Sequence, residues 1–394
     1  MRVGGRDWFL MLGARSIRTV ACTAAVTGLL VAGCSGDDET AGPSPSPSTS
    51  GPATTASPSE SESPRPSGTG RPRVTGDIAA NLEIPWGMTF LPDGSALVAE
   101  RSRAQIVRVT PGGRVSTVGT VPGVDPIGEG GLLGLALAPN FERNHWLYAY
   151  FTAASDNRIV RMRYQDGQLG PLNPILTGIP KGSNHNGGRI AFGPDGMLYA
   201  TAGEAGQPPL AQDRGSLGGK ILRMTPAGRP APGNPFDNSV ILSYGHRNPQ
   251  GVAWDSEGRL WAAEFGQNTW DELNLIEPGG NYGWPLAEGR STEPDLVSPQ
   301  AVWSTDQASP SGITIADGAV WMAALRGARL WRIPLNGDRA GEPQAFFAGE
   351  YGRLRTIETA PDGSLWLATS NLDGRAQDPF PKSGDDRILR IVLE

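Results

Sequence analysis

From Val74 onward, hydrophobic residues fall at every second position in short runs, and no stretch carries a long apolar stripe at helical spacing. One phrase recurs: a turn of the Asp-Gly type, then an alternating run with an aromatic residue or Leu, then small residues. It stands at Pro92-Asp93-Gly94 before ALVAE, Pro194-Asp195-Gly196 before MLYATAGE and Ser256-Glu257-Gly258 before RLWAAE. It returns at Asp317-Gly318 before AVWMAA and Pro361-Asp362-Gly363 before SLWLAT, and a degenerate copy at Pro139-Asn140-Phe141 leads into HWLYAYF. Most copies are followed by a second run that alternates Arg with hydrophobic residues, as in Gln105-Ile106-Val107-Arg108-Val109 and Lys220-Ile221-Leu222-Arg223-Met224. Period-2 alternation beside Asp-Gly turns predicts antiparallel hairpins. Six copies in about 320 residues give units of about 53, the size of a four-stranded blade with a long loop. The pattern therefore predicts an all-β domain over 75–394, a six-bladed β-propeller. A two-sheet sandwich leaves the repeats unexplained.

The N-terminal part follows a different pattern. Arg2, Arg6, Arg15 and Arg18 precede an apolar run, 19–33, that ends at Cys34. A basic start, a short apolar stretch and small residues before the cut predict a signal peptide over 1–33. The run is shorter than the roughly 20 apolar residues a spanning helix needs. Residues 34–74 are dominated by Pro, Ser and Thr with almost nothing apolar, so the segment reads as a disordered tether. Val31-Ala32-Gly33-Cys34 resembles the bacterial lipobox. That resemblance implies lipidation of Cys34 and an extracytoplasmic protein, held to the outer face of the cell membrane through its lipid anchor alone. Cys22 would leave with the signal, so the mature domain holds no internal disulfide.

Charge and composition exclude several functions. A formal charge of −6, from 34 basic and 40 acidic residues, gives no electrostatic reason to expect nucleic acid as a partner. Three His and two Cys exclude a zinc site built mainly from those residues. Only Lys181, Lys220 and Lys382 are lysines, and the Arg excess reads as compositional bias, so no single Arg is informative by type.

Chemistry is expected where loops interrupt the repeat. Four segments stand out: Gly128-Glu129-Gly130-Gly131-Leu132-Leu133-Gly134; Ser183-Asn184-His185-Asn186-Gly187-Gly188-Arg189; Tyr244-Gly245-His246-Arg247-Asn248-Pro249-Gln250-Gly251 with its continuation through 264–285; and Arg353-Leu354-Arg355. The first lacks a Lys-Ser/Thr ending and a following helix, so it is neither a P-loop nor a dinucleotide fingerprint. No Gly-x-Ser-x-Gly elbow supports a hydrolase triad. On the residues alone, His185 and His246 read as loop histidines with structural hydrogen bonds.

NHNGGR, GHRNPQG, the acidic stretch after Phe265 and GGNYGWP, in this order, resemble the glucose/sorbosone dehydrogenase family. The resemblance runs from IPWGMTF to the last repeat and is nearer to its aldose sugar dehydrogenase branch. It implies an oxidoreductase, a quinoprotein with pyrroloquinoline quinone (PQQ) and Ca²⁺ as cofactors, a small sugar as substrate and an electron acceptor it does not identify. By resemblance His185 is the general base at the anomeric hydroxyl, and Arg247 stabilises charge on the quinone, with Asn248 beside it. Gly266 and Gln267 offer carbonyls to Ca²⁺ at the cofactor, with Gln250 supporting that loop. Glu272 and Tyr282 match a second, structural Ca²⁺ site. Arg326, Arg353 and Arg355 match positions that pair with the cofactor's carboxylates. The last two, being two apart on a strand, share one side. Glu129 stands where the family usually has Gln, placing a negative charge near an anionic cofactor. Asn184 replaces a common Asp, leaving Glu204 as the carboxylate to orient His185. Trp303 is either an aromatic wall of the site or a core residue. A non-catalytic surface propeller that binds a glycan or protein is the alternative, and a Ca²⁺-dependent lactonase a more distant one.

Overall fold

The computed structural model describes residues 70–394; the expected signal peptide, Cys34 and nearly all of the expected tether lie outside them. Six antiparallel sheets make six blades. The innermost strands are Pro85–Phe90, Leu132–Leu137, Ile190–Phe192, Pro249–Trp254, Pro310–Ala316 and Leu354–Thr359, taken as blades I to VI. In blades I to V the sheet is completed by the strands that follow. In blade VI the outermost strand is the first of the domain, Pro72–Ala79, which pairs with the last, Ile388–Leu393. The first and last strands of the described domain thus close the ring. The folded domain begins slightly earlier than 75, because Pro72, Arg73 and Val74 already pair with Leu393, Val392 and Ile391.

The recurring small-apolar run is the second strand of each blade, and its period-2 pattern feeds two cores at once. In blade I, Ala96 and Val98 pack towards blade VI, whereas Leu97 and Ala99 pack towards blade II. In blade V, Val320 and Met322 face blade IV while Trp321 and Ala323 face blade VI. Six hydrophobic clusters result, one at each junction between neighbouring blades. The repeated aromatics Trp261, Trp321 and Trp366 are buried in them, and so is Trp303, which packs on Trp331 rather than forming a wall of the site.

The Asp-Gly turns join the inner strand to the second strand, not the second to the third. Their Asp side chains bind the third strand: Asp93 pairs with Arg108, Asp195 with Arg223 at 2.8 Å and Asp362 with Arg390 at 2.5 Å. The repeated Arg therefore has a structural partner and is not compositional bias alone. The link from second to third strand lies at the opposite end, as antiparallel order requires, and so does the link from one blade to the next. Those two loop families share one face of the ring.

The closure makes a prediction. A chain beginning at Ala80 lacks the strand Pro72–Ala79 and leaves the edge of blade VI unpaired. Its thermal midpoint should fall by roughly 5 °C or more relative to residues 70–394, and an unchanged midpoint would contradict the pairing.

Candidate active site

At the loop-bearing face the six inner strands converge on a cavity of about 450 Å³. Neighbouring inner strands approach so closely that a Cβ at Gly87 would lie 2.3 Å from the carbonyl oxygen of Leu133. Trp86 and Gln250, which precede the glycines Gly87 and Gly251, line the floor. Trp86 supplies an apolar plate there, with Gln250 and Arg355 beside it. Beneath lies Arg189, whose guanidinium stacks 4.5 Å from the Trp86 ring, donates from Nε to the Gln250 carbonyl at 2.9 Å and from Nη2 to Thr356 Oγ1 at 3.1 Å. Burial pushes this guanidinium down to about 10.

His185 enters from the link into blade III. Its backbone is left-handed, with φ at 54°, because the loop folds back on itself around Gly187 and Gly188. Nδ1 forms a very short contact with the buried Glu204 carboxylate, and Nε2 has the Asn184 amide at 3.4 Å. The Glu204 strap ties two loops together. Its N–H donates to the Arg247 carbonyl at 2.9 Å, and the next N–H, of Ala205, donates to the His185 carbonyl at 3.0 Å. Asn248 fixes the same loop, since its Oδ1 accepts the Gly187 N–H at 3.0 Å. The acid beside His185 is thus Glu204, as expected from the Asn at 184.

The cavity wall is strongly cationic. Arg353 and Arg355 do share one side, and both meet Asp373, at 2.9 Å and 3.5 Å. Arg355 is buried and pushed down to about 9 by desolvation, despite Asp373. Its Nη1 donates to Gln250 Oε1 at 3.3 Å, and Ser311 donates to the same oxygen at 2.9 Å, so the Gln250 side chain supports Arg355 on the floor, not the loop of Gly266 and Gln267 as expected. Arg247 lies 5.4 Å above the Trp284 ring and donates from Nη1 to the Gly266 carbonyl at 2.6 Å. Arg326 reaches the opposite rim and is exposed. Gln267 is exposed and does not line the cavity; its N–H is one of four that donate to Glu288 Oε1 at 2.7–3.0 Å.

Glu272 and Tyr282 sit apart, behind Arg247, in the wall of a small void shared with Glu264. Glu264 and Glu272 are cross-strand partners, and Glu272 is pushed above the ordinary carboxylate range by burial and by Glu264. Glu264 is held by His246 at 2.7 Å, which confirms His246 as structural. The Tyr282 hydroxyl donates to Leu275 O at 2.6 Å and accepts the Glu277 N–H, so any ion held at this residue takes its carbonyl.

Sequence reasoning missed three residues here: Trp86, Arg101 and Arg375. Arg101 lines the cavity with its Nε buried and unpartnered among the described residues. It follows directly on the second strand of blade I, Ala96–Glu100, a position held by Leu325 in blade V, so aligning the repeats does not mark it.

Comparison with known proteins places this geometry. A sequence profile of the family described as Glucose / Sorbosone dehydrogenase matches residues 82–378. The chain is similar to the PQQ-bound form of aldose sugar dehydrogenase from Streptomyces coelicolor, with 59% identity and a TM-score of 0.81 over 84% of this chain and 100% of that one. It is 30% identical to the aldose sugar dehydrogenase of Escherichia coli K12, over 77% of this chain and 91% of that one. Quinoprotein glucose dehydrogenase B of Acinetobacter calcoaceticus is 33% identical over 61% of this chain and 59% of its own.

A pH effect follows from Glu272. Its folded-state pKa lies above the ordinary 4.5, so the fold favours the protonated form and loses stability as pH rises from that value. With chelator present, Glu272→Gln should flatten the fall in thermal midpoint between about pH 5 and 8. An equally steep fall in the variant would contradict the burial argument.

Proposed function

The chain belongs to the glucose/sorbosone dehydrogenase family, and from that premise we propose that it oxidises aldose sugars at the anomeric carbon to lactones, with PQQ as cofactor and Ca²⁺ as its companion ion. The observation that carries the reading is one cavity with an aromatic floor, a ring of guanidiniums and a histidine–carboxylate pair at its side. The bound quinone supplies a two-electron hydride acceptor. The residues present fit such a group. A planar tricarboxylate needs a flat apolar plate and several cations, and Trp86 with Arg353, Arg355, Arg326 and the orphaned Nε atoms of Arg101 and Arg247 offer both.

His185 holds the proton of the reaction. With Nδ1 engaged by Glu204, Nε2 is the basic atom, and it takes the proton of the anomeric hydroxyl while Glu204 stabilises the imidazolium. The left-handed backbone and the Asn248 bond hold that ring in place. Arg247 favours negative charge developing on a bound acceptor. It donates to the Gly266 carbonyl, which ties the guanidinium to the loop that would hold the ion. The Gly266 and Gln267 carbonyls are the donors we assign to Ca²⁺ beside the cofactor. A second Ca²⁺ at Glu264, Glu272 and the Tyr282 carbonyl would neutralise two buried carboxylates that repel each other.

We further propose that the protein is exported, lipidated at Cys34 and held on the outer face of the membrane, with 35–69 as its tether. Cys34→Ala should shift it from the membrane to the soluble fraction; retention at the membrane would refute the anchor.

For the chemistry, His185→Ala should lower kcat for aldose-dependent dye reduction by at least about 100-fold in a protein that still folds. Unchanged turnover would remove His185 from its role. Turnover of a methyl glycoside, which has no anomeric hydroxyl, would contradict proton abstraction there.

A further inference from the structure

Glu129 is a carboxylate in a cavity whose other charged walls are largely cationic. Both of its oxygens are engaged: Oε2 accepts the backbone N–H of His185 at 3.2 Å, and Oε1 accepts from Arg375 Nη1 at 2.5 Å. Arg375 belongs to the loop 370–387 between the second and third strands of blade VI, whereas Glu129 lies in the link into blade II. The pair therefore bridges two loops across blade I at the cavity mouth. Burial works against the charge on Glu129, yet the Arg375 guanidinium and the His185 N–H hold its carboxyl below the ordinary range. Around it, Arg101, Arg353, Arg355 and Arg375 face Glu129 and Asp373, four cations against two carboxylates. Without Arg375 the surplus is halved and Glu129 Oε1 is left bare on the cavity wall.

We propose, resting on the quinone reading above, that Glu129 and Arg375 form a charge-compensating clasp: Arg375 neutralises Glu129 so that an anionic tricarboxylate can lie beside it, and Glu129 in turn fixes the backbone of His185. The physical reason is that a bare carboxylate next to another in a partly desolvated cavity repels it with little screening. Arg375 itself is 59% exposed at its side chain, but Glu129 only 20%, so the repulsion exposed by its removal is felt on the buried side. Arg375 is thus a positioning residue, needed because position 129 carries Glu.

A two-by-two set of variants tests this in the full chain, with PQQ affinity read by calorimetry in the presence of Ca²⁺ and folding checked by thermal melting. In the unsubstituted background Arg375→Ala should weaken PQQ binding on the order of tenfold. In a Glu129→Gln background, where Gln still accepts the His185 N–H, the same change should cost less than about threefold. Arg375→Lys should recover part of the loss. An equal loss in both backgrounds would mean that Arg375 acts only through loop structure or as a direct cofactor contact, and would overturn the clasp. Absence of PQQ binding by the unsubstituted protein would overturn the quinone reading and the clasp with it.

Discussion

Arg189 crosses the middle of the ring and binds three other blades at once: the Trp86 ring in blade I, the Gln250 carbonyl in blade IV and Thr356 in blade VI. A buried guanidinium is costly unless its donors are met and its faces covered. Those conditions hold only when the inner strands stand at their observed spacing, which the glycines in PWG and PQG permit. This one residue therefore links ring geometry to the floor of the cavity. The same layer presents Trp86, Gln250 and Arg355 upward, so the surface on which a planar ligand would lie is built by the contact that centres the propeller.

Division of labour between the two ends of the ring follows from strand order. Tight Asp-Gly turns at one end are closed by Asp–Arg pairs. The other end carries the longer loops, and each contributes single side chains: Arg101, Glu129, His185, Arg247, Arg326 and Arg375 come from different connections. A site assembled in this way concentrates positive charge in a chain whose net charge is −6. Attraction for an anionic cofactor thus comes from local placement, not from composition.

Much of this was legible before any coordinates. Alternation with Asp-Gly turns specified the blades, because a strand buried on both faces still needs its turn residues. It left open the turn's position in the blade, since periodicity does not say which two strands a turn joins. Blade IV hid its third strand, Trp270–Leu275, because WDELNL lacks the Arg alternation. Among site residues, His185, Arg247 and the Arg353/Arg355 pair were found through a family resemblance; their types alone marked nothing. Trp86 escaped because a buried Trp at the start of a strand looks like core, and Trp303, which is core, was given a chance at the wall. Arg375 escaped because its partner, Glu129, lies 246 residues away and only folding brings them together.

The central claim is that the cationic cavity over Trp86 is a quinone site at which sugars are oxidised. It is tested most directly by titrating the purified protein with PQQ at saturating Ca²⁺ and then adding aldoses one at a time, following the bound quinone by absorbance. The account predicts saturable binding, and bleaching of the oxidised quinone spectrum by at least one aldose. A folded protein that binds no quinone, or whose bound quinone no aldose reduces, would contradict it.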